Sequence, residues 1–374
     1  MKENSKKLNL EYIFYYRNIY IVFRIKLTMG SVKDLQILKE PVENEGGYGR
    51  FIFSDRYSVF DWGEMPDHIP HKGEALCLIG AYLFEQASGK GIRTHYGGVV
   101  ADDRVLLTSE LEKPSNTMEI RLVRVIHPKF NNGKYDYSGF TPKLKNFLIP
   151  LEVIYRNGLP EGSSIFKRLE NRETSLEELG LDHYPKPGER LRIPIFDAST
   201  KLEGKDRYAS WNEAKSIAGL EDKDVWEIRG TLLDIDNLIT EISGKAGLTN
   251  EDGKIELAYD SYGKLILVDV IGTLDECRFT YNGINVSKEI ARQFYKKTEW
   301  YKDLQEAKKI AEEKGILDWK NLCKSKPINL DPELKKIIEW MYTSTANAFL
   351  EREIFDSPKL EEVVEKYRKW RNNN

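Results

Sequence analysis

Asp252-Gly-Lys254-Ile-Glu256-Leu-Ala-Tyr-Asp-Ser-Tyr-Gly-Lys264-Leu-Ile-Leu-Val-Asp269-Val-Ile271 alternates apolar and polar residues on both sides of a polar turn. That pattern predicts an antiparallel β-hairpin. A turn centred on Tyr262-Gly263 pairs Ser261 with Lys264, and counting back along both strands sets Glu256 opposite Asp269. The other face would then pair Ile255 with Val270, Leu257 with Val268 and Tyr259 with Ile266, a surface fit for a core.

Two carboxylates facing each other across a strand pair repel, by roughly 0.2–1 kcal/mol where exposed and by more where shielded from water. Mg2+ is a natural compensating partner, because it binds hard oxygen ligands and commonly takes one or two carboxylates alongside water and nucleotide phosphates. Lys254, two residues before Glu256, shares its face and can meet a phosphate, and Asp252 continues the row. The competing reading is a solvated strand face on which Lys254 neutralises incidental acids.

Upstream of the hairpin, Val32 to Leu38 and Arg50 to Ser54 read as strands joined by a flexible turn, Glu45-Gly46-Gly47-Tyr48-Gly49. Lys33 on the first of them is a candidate phosphate partner. Leu76, Ile79, Leu83 and Phe84 recur at helix spacing within Gly73–Ser88. Strands follow at Arg93–Val100, Arg104–Leu107 and Arg121–Ile126. A loop rich in Asn, Gly and Lys, Lys129 to Lys145, marks a lobe boundary before the strand Phe147–Tyr155. That strand runs into Arg156, and Gly162-Ser163-Ser164 opens a short helical run. In outline this is an anion site of backbone N–H groups, hydroxyls and a guanidinium fork, or else an ordinary serine N-cap beside a surface arginine. Arg278 is a second candidate fork. Beyond Trp300, Leu334, Ile337, Ile338 and Met341, and later Leu360, Val363, Val364 and Tyr367, form helical stripes suited to packing.

The 374 residues are enough for two lobes, since domains commonly hold roughly 100–200 residues. A formal charge of −3 argues against a nucleic-acid partner, which normally requires clustered Lys/Arg excess. Cys77, Cys277 and Cys323 lack metal or redox spacing and read as reduced thiols of a cytoplasmic protein. Tyr12–Leu27 is apolar, but Arg17, Arg24 and Lys26 interrupt it before the ~18 apolar residues of a membrane span. No membrane partner is expected. Residues 1–28 read as an N-terminal extension or mis-called start ahead of Met29. No G-x-x-x-x-G-K-[ST] loop occurs, so nucleotide would be held by other means.

From about Gly30 to Arg292 these segments, in this order, resemble the SAICAR synthase family. Leu148-Ile-Pro150-Leu-Glu152-Val-Ile-Tyr-Arg156 followed by Gly162-Ser163 is similar to the family's P-x-E-x-x-x-R…G-S signature. Gly30-Ser-Val-Lys33-Asp34 resembles G-K-V-R-D, Asp55-Arg56-Tyr-Ser58-Val-Phe-Asp61 resembles D-R-I-S-A-F-D, and Ile69-Pro70-His-Lys72-Gly73 resembles I-P-x-K-G. Pro194-Ile-Phe-Asp-Ala-Ser199-Thr200-Lys201 is similar to P-I-F-T-P-S-T-K, and Asp252-Gly-Lys254-Ile-Glu256 to D-x-K-x-E-F-G. Asp269-Val-Ile-Gly-Thr273-Leu-Asp275-Glu-Cys-Arg278 is similar to D-E-x-x-T-P-D-x-x-R. Ser31, Leu257-Ala258, Val270 and Leu274 depart from these patterns, and the gap from Arg156 to Gly162 is one residue longer.

The resemblance implies a two-lobed α+β fold in which a smaller antiparallel-sheet lobe (29–128) closes over a larger nucleotide-binding lobe (129–299), with 300–374 as a helical C-terminal extension. It implies Glu256 and Asp269 as Mg2+ ligands, Lys33, Lys201 and Lys254 at the ATP, and Arg156, Ser163 and Arg278 on the substrate. Asp252 and Lys254 would serve catalysis, Asp252 as a base for the attacking amine. The implied substrates are carboxyaminoimidazole ribonucleotide (CAIR), L-aspartate and ATP, joined through an acyl phosphate. Two alternatives stay open: a related ATP-dependent ligase or kinase acting on another acid, and a non-catalytic nucleotide-binding regulator. A homo-oligomer is also compatible with the sequence.

Overall fold

The computed structural model describes residues 7–16, 19–30, 32–131, 133–286, 288–316 and 318–374. Arg17 and Ser31, both singled out in the sequence, lie outside them. The first sheet takes Lys7–Tyr16 (β1), Ile19–Met29 (β2), Lys33–Lys39 (β3), Gly47–Phe53 (β4), Tyr96–Ala101 (β5), Arg104–Leu106 (β6) and Thr117–Leu122 (β7). Their order is β1-β2-β3-β4-β7-β5-β6, and every pairing is antiparallel. The segment expected to be an extension thus adds a hairpin to this sheet, with Lys26 to Met29 paired on β3.

The turn between β3 and β4 lies earlier than expected. Val42 and Glu45 close it with reciprocal backbone hydrogen bonds, while Gly47 and Gly49 belong to β4. A Cβ on either glycine would collide with the carbonyls of Lys39 or Gln36. These glycines permit close strand approach rather than a loose loop. The last strand of this lobe also falls before the expected Arg121–Ile126, because Thr117–Leu122 is the stretch that pairs with β4 and β5.

Lys72–Gly89 (α1) starts after Pro70 and stops before Gly91, whose φ of 84° suits glycine. Leu76, Ile79, Leu83 and Phe84 are buried as expected, but so are Ala75, Cys77, Leu78 and Ala81. The helix is enclosed on nearly all sides, with β4, β5 and β7 against it and later helices packed on it.

A small hairpin, Lys129–Asn131 (β8) with Lys134–Asp136 (β9), occupies part of the expected loop. The second sheet follows: Phe147–Leu159 (β10), Glu189–Thr200 (β11), Tyr208–Ala209 (β12), Thr249–Tyr259 (β13), Leu265–Val268 (β14), Cys277–Tyr281 (β15) and Ile284–Asn285 (β16). Its order is β12-β11-β10-β13-β15-β16, with β14 paired on β13. Ser164–Glu170 (α2), Trp211–Ala218 (α3) and Asp222–Lys245 (α4) complete this part. Helix α4 is stabilised at its start by Asp224, whose carboxylate accepts the Glu221 N–H at 2.7 Å.

Glu289–Lys296 (α5), Glu299–Lys314 (α6), Pro332–Phe349 (α7) and Leu360–Asn373 (α8) end the chain. Both predicted stripes are buried: Leu334, Ile337, Ile338 and Met341 on α7, and Leu360, Val363, Val364 and Tyr367 on α8. One continuous core joins α1, both sheets and these C-terminal helices. No helix among the described residues is long and apolar enough to cross a membrane.

Candidate active site

The decisive hairpin forms, with a register one residue away from expectation. Glu256 pairs with Val268, Leu257 with Leu267, Ala258 with Ile266 and Tyr259 with Leu265. The loop is the reason. Asp260 and Lys264 close it, Gly263 takes a left-handed φ of 71°, and the Asp260 carboxylate accepts the N–H groups of Tyr262 and Lys264 at 2.8 Å. A three-residue loop ending in a left-handed glycine replaces the assumed two-residue turn.

On its other side Glu256 faces another acid. Across β10 and β13, Glu152 lies directly opposite Glu256, Ile154 opposite Lys254 and Arg156 opposite Asp252. Regular alternation would send Asp269 to the Leu265/Leu267 face. Instead β14 ends at Val268, and a left-handed backbone at Asp269 (φ 64°) turns its carboxylate to Lys33 of the first sheet, 2.5 Å away. His95 fixes this bend by donating its Nε2–H to the Asp269 carbonyl at 3.1 Å.

Lysines from two strands and from the end of a third meet these acids. Lys201, just past β11, bonds Glu256 and lies 3.5 Å from Glu152. Lys254 lies 2.7 Å from Glu152 and 3.3 Å from Glu276. Burial and the nearby Asp269 charge push the Glu256 carboxyl above the usual range. Burial also opposes ionisation of Asp269, but Lys33 and Lys201 outweigh it and hold that carboxyl far below the usual range. Four carboxylates (Glu152, Glu256, Asp269 and Glu276) face three ammonium groups, which leaves room for added positive charge.

A second cluster lies at the Asp252 end of the same face. Arg278 holds the Asp252 carboxylate with both Nε, at 2.8 Å, and a terminal nitrogen. Arg156 Nη1 stands 3.6 Å from Asp252, while its Nε reaches Asp197 at 3.1 Å and its Nη2 reaches Ser164 and Tyr208. Arg168 also holds Asp197, at 2.8 Å, and lies over the Tyr208 ring. Ser163 caps α2, its hydroxyl accepting the Ile165 N–H at 3.5 Å. Its neighbour Ser164 is the serine that meets Arg156. A Cβ added at Gly162 would sit 3.8 Å from Arg278, so the loop before α2 borders the Arg278 guanidinium.

The structure therefore gathers Lys33, Lys201, Lys254, Glu256 and Asp269 in one cluster and Arg156, Arg278 and Asp252 in another. Glu152 and Glu276 were legible only as letters within family-like motifs, and Asp197 carried no role at all. The even spacing of Glu152 and Arg156, facing the row Asp252-Lys254-Glu256 on the next strand, is the signal that finds Glu152.

His95 supplies a pH test of the Asp269 bend. Burial lowers its pKa to about 4, against about 6.5 in an unfolded chain. Because the folded value is depressed, this contribution to stability is present above about pH 6.5 and is lost as pH falls towards 4. His95→Gln retains a donor for the Asp269 carbonyl but cannot titrate. Between pH 7 and pH 5 the wild type is expected to lose about 2 kcal/mol more stability than the variant, measured by urea unfolding.

Residues 27–312 match the family model described as SAICAR synthetase. A protein of Archaeoglobus fulgidus assigned as a phosphoribosylaminoimidazole-succinocarboxamide synthase is 49% identical over 336 residues, covering 90% of this chain and 98% of that one. The synthase of that name from Thermoplasma acidophilum is 34% identical, covering 75% and 87%. Among solved structures, the Saccharomyces cerevisiae SAICAR synthase complexed with SAICAR aligns with a TM-score of 0.59 at 18% identity over 87% of this chain and 95% of its own. A SAICAR synthetase in complex with ADP aligns with a TM-score of 0.52 at 20% identity, over 81% of this chain and all of its own. These two share the fold. With three quarters of its length inside the family model and near-full-length relatives on either side of 40% identity, the chain belongs to the SAICAR synthetase family.

Proposed function

We infer that this protein joins L-aspartate to the carboxylate of CAIR at the expense of ATP, giving SAICAR, ADP and phosphate in purine biosynthesis. The observation that carries the reading is the lysine-carboxylate cluster where the two sheets meet, continuous along one sheet face with the Arg278–Asp252 fork. A carboxylate resists amine attack until an oxygen becomes a good leaving group. An oxygen of the CAIR carboxylate attacks the γ-phosphorus and ADP leaves. The aspartate amine then attacks the acyl carbon, a C–N bond forms, and phosphate departs.

Phosphoryl transfer is governed mainly by positioning and charge neutralisation. Lys33, Lys201 and Lys254 are assigned to the ATP phosphates, each held at the cluster by a carboxylate. Glu256 and Asp269 fit a Mg2+ site: they are hard-oxygen donors in an acid-rich cluster, Glu256 buried and Asp269 partly open, and the pushed-up Glu256 carboxyl is what an added cation would relieve. When bound, the ion would neutralise phosphate charge. Among the described residues no group of three or more His, Cys, Asp or Glu side chains is arranged as a metal cage, which accords with a cation sharing its remaining ligands with nucleotide and water.

Arg278 is assigned to the anionic groups of CAIR or aspartate, with the Gly162-Ser163 loop beside it and Arg156 behind it. Asp252 is gripped by Arg278 and flanked by Arg156, so its carboxylate is better suited to aiming Arg278 than to taking a proton from the amine. We assign 29–128, extended at its sheet edge by the β1–β2 hairpin, and 129–299 as the two lobes, 300–374 as the helical extension, and the cytoplasm as the compartment, consistent with three free cysteines.

Purified protein incubated with ATP, Mg2+, CAIR and L-aspartate is expected to release ADP and yield a product of SAICAR mass. ADP release with another acid or amine in place of either substrate, and none with this pair, would favour the related-ligase alternative.

A further inference from the structure

Helix α7 begins twenty residues past the end of the family match, yet its Tyr342 reaches a motif inside the matched region. Its hydroxyl donates to Asp275 Oδ1 at 2.6 Å. The other oxygen of that carboxylate accepts from Lys72, at the start of α1, at 2.7 Å. The Lys72 ammonium also lies 5.4 Å from the centre of the Tyr342 ring. All three side chains are enclosed, with Lys72 0%, Tyr342 1% and Asp275 9% exposed.

Asp275 sits in a tight turn. Thr273 accepts the N–H groups of Glu276, at 3.1 Å, and Cys277, at 2.8 Å, through its carbonyl. From this turn Asp275 points inward to α1 and α7, whereas Glu276 meets Lys254 and Arg278 meets Asp252 on the site face. The anchor and both site residues thus lie on one short backbone segment, the turn and the start of the strand it opens.

We propose that Tyr342 is a positioning residue for the reaction: by holding Asp275 it fixes the Thr273–Arg278 turn and with it the placement of Glu276 and Arg278. The C-terminal helices thereby become part of the working site. The kinetic half of this proposal rests on the substrate assignment above, whereas its structural half does not.

Tyr342→Phe keeps the ring over Lys72 and removes only the hydroxyl. Two readouts test it. Amide hydrogen exchange across 273–278 is expected to quicken at least tenfold while α4 stays as protected as in the wild type, and this needs no turnover. In steady-state assays, KM for CAIR or aspartate is expected to rise about tenfold, in the range typical when a supporting partner is lost, with ADP affinity by calorimetry unchanged. Val363→Ala, in the α7/α8 packing, controls for general loosening and should leave both readouts at wild-type values. Unchanged exchange in folded Tyr342→Phe would overturn the proposal, as would the same KM rise in Val363→Ala. Faster exchange with no turnover of CAIR and aspartate by the wild type would instead count against the substrate assignment alone.

Discussion

Glu256→Gln is expected to lower kcat/KM by about 10²–10³-fold, the usual loss when one element of a charge-stabilising site is removed. The side chain keeps its shape and can still accept a hydrogen bond from Lys201, so packing is preserved. What disappears is one of the two anions assigned to the cation and the main counter-charge of Lys201. Folding should not suffer at neutral pH. Burial and the neighbouring Asp269 charge disfavour ionisation of Glu256, so the folded state holds its proton more tightly than an unfolded chain does. Its stabilising contribution is full below the ordinary glutamate pKa and is lost as pH rises towards the raised folded value. The neutral amide avoids that loss. Steady-state ADP release together with a urea unfolding curve at pH 7 checks both halves. Activity within threefold of wild type would remove Glu256 from the site, and a large fall in stability would make the kinetic loss uninformative about charge.

Asp275→Ala should cost about 3–5 kcal/mol of stability, a large effect for a single substitution. It strands the Lys72 ammonium, which has no exposed surface, and leaves the Tyr342 hydroxyl without its acceptor. Burial alone would raise the Asp275 pKa, yet Lys72, the nearby Lys288 charge and the Tyr342 hydroxyl hold it down at about 2. The carboxylate is therefore ionised across the whole working pH range. Replacing both ends, Lys72→Met with Asp275→Leu, removes the stranded charge and should recover most of the loss, because a buried pair differs little from a well-packed apolar substitute. Urea midpoints of the single and double variants decide the matter. A single-variant loss under about 1 kcal/mol would mean that water reaches Lys72.

The sequence disclosed the hairpin, its face of Asp252, Lys254 and Glu256, and the packing stripes of α7 and α8, because periodicity records which side of an element is buried. Register was harder. Asp260 and Gly263 build a three-residue loop, and that one-residue difference exchanges the partner of Glu256 from Asp269 to Val268. Asp269 still reaches the cluster only through a left-handed bend secured by His95, two features that no alternation pattern encodes. Glu152 stands in a family-like motif but shows no pairing in the sequence, because its partner Glu256 lies about a hundred residues away and strand neighbours distant in sequence leave no local trace. The same holds for Lys72, Asp275 and Tyr342, which are contributed by α1, a turn and α7. Ser163 shows the converse: the expected anion site at α2 is also a plain N-cap, and it is Ser164 that meets Arg156.

Central to the proposed function is that Glu256 and Asp269 act together to hold a divalent cation against nucleotide phosphates. Manganese can replace magnesium as a paramagnetic probe, and Asn tolerates the left-handed backbone at position 269 better than most residues. Titration of Mn2+ by electron paramagnetic resonance in the presence of ADP should therefore be compared between wild type and the Glu256→Gln/Asp269→Asn variant. The expected result is a protein-bound Mn2+-ADP signal in the wild type, weakened at least tenfold in affinity in the variant. Equal Mn2+ affinity in a folded double variant would contradict the joint role of the two carboxylates.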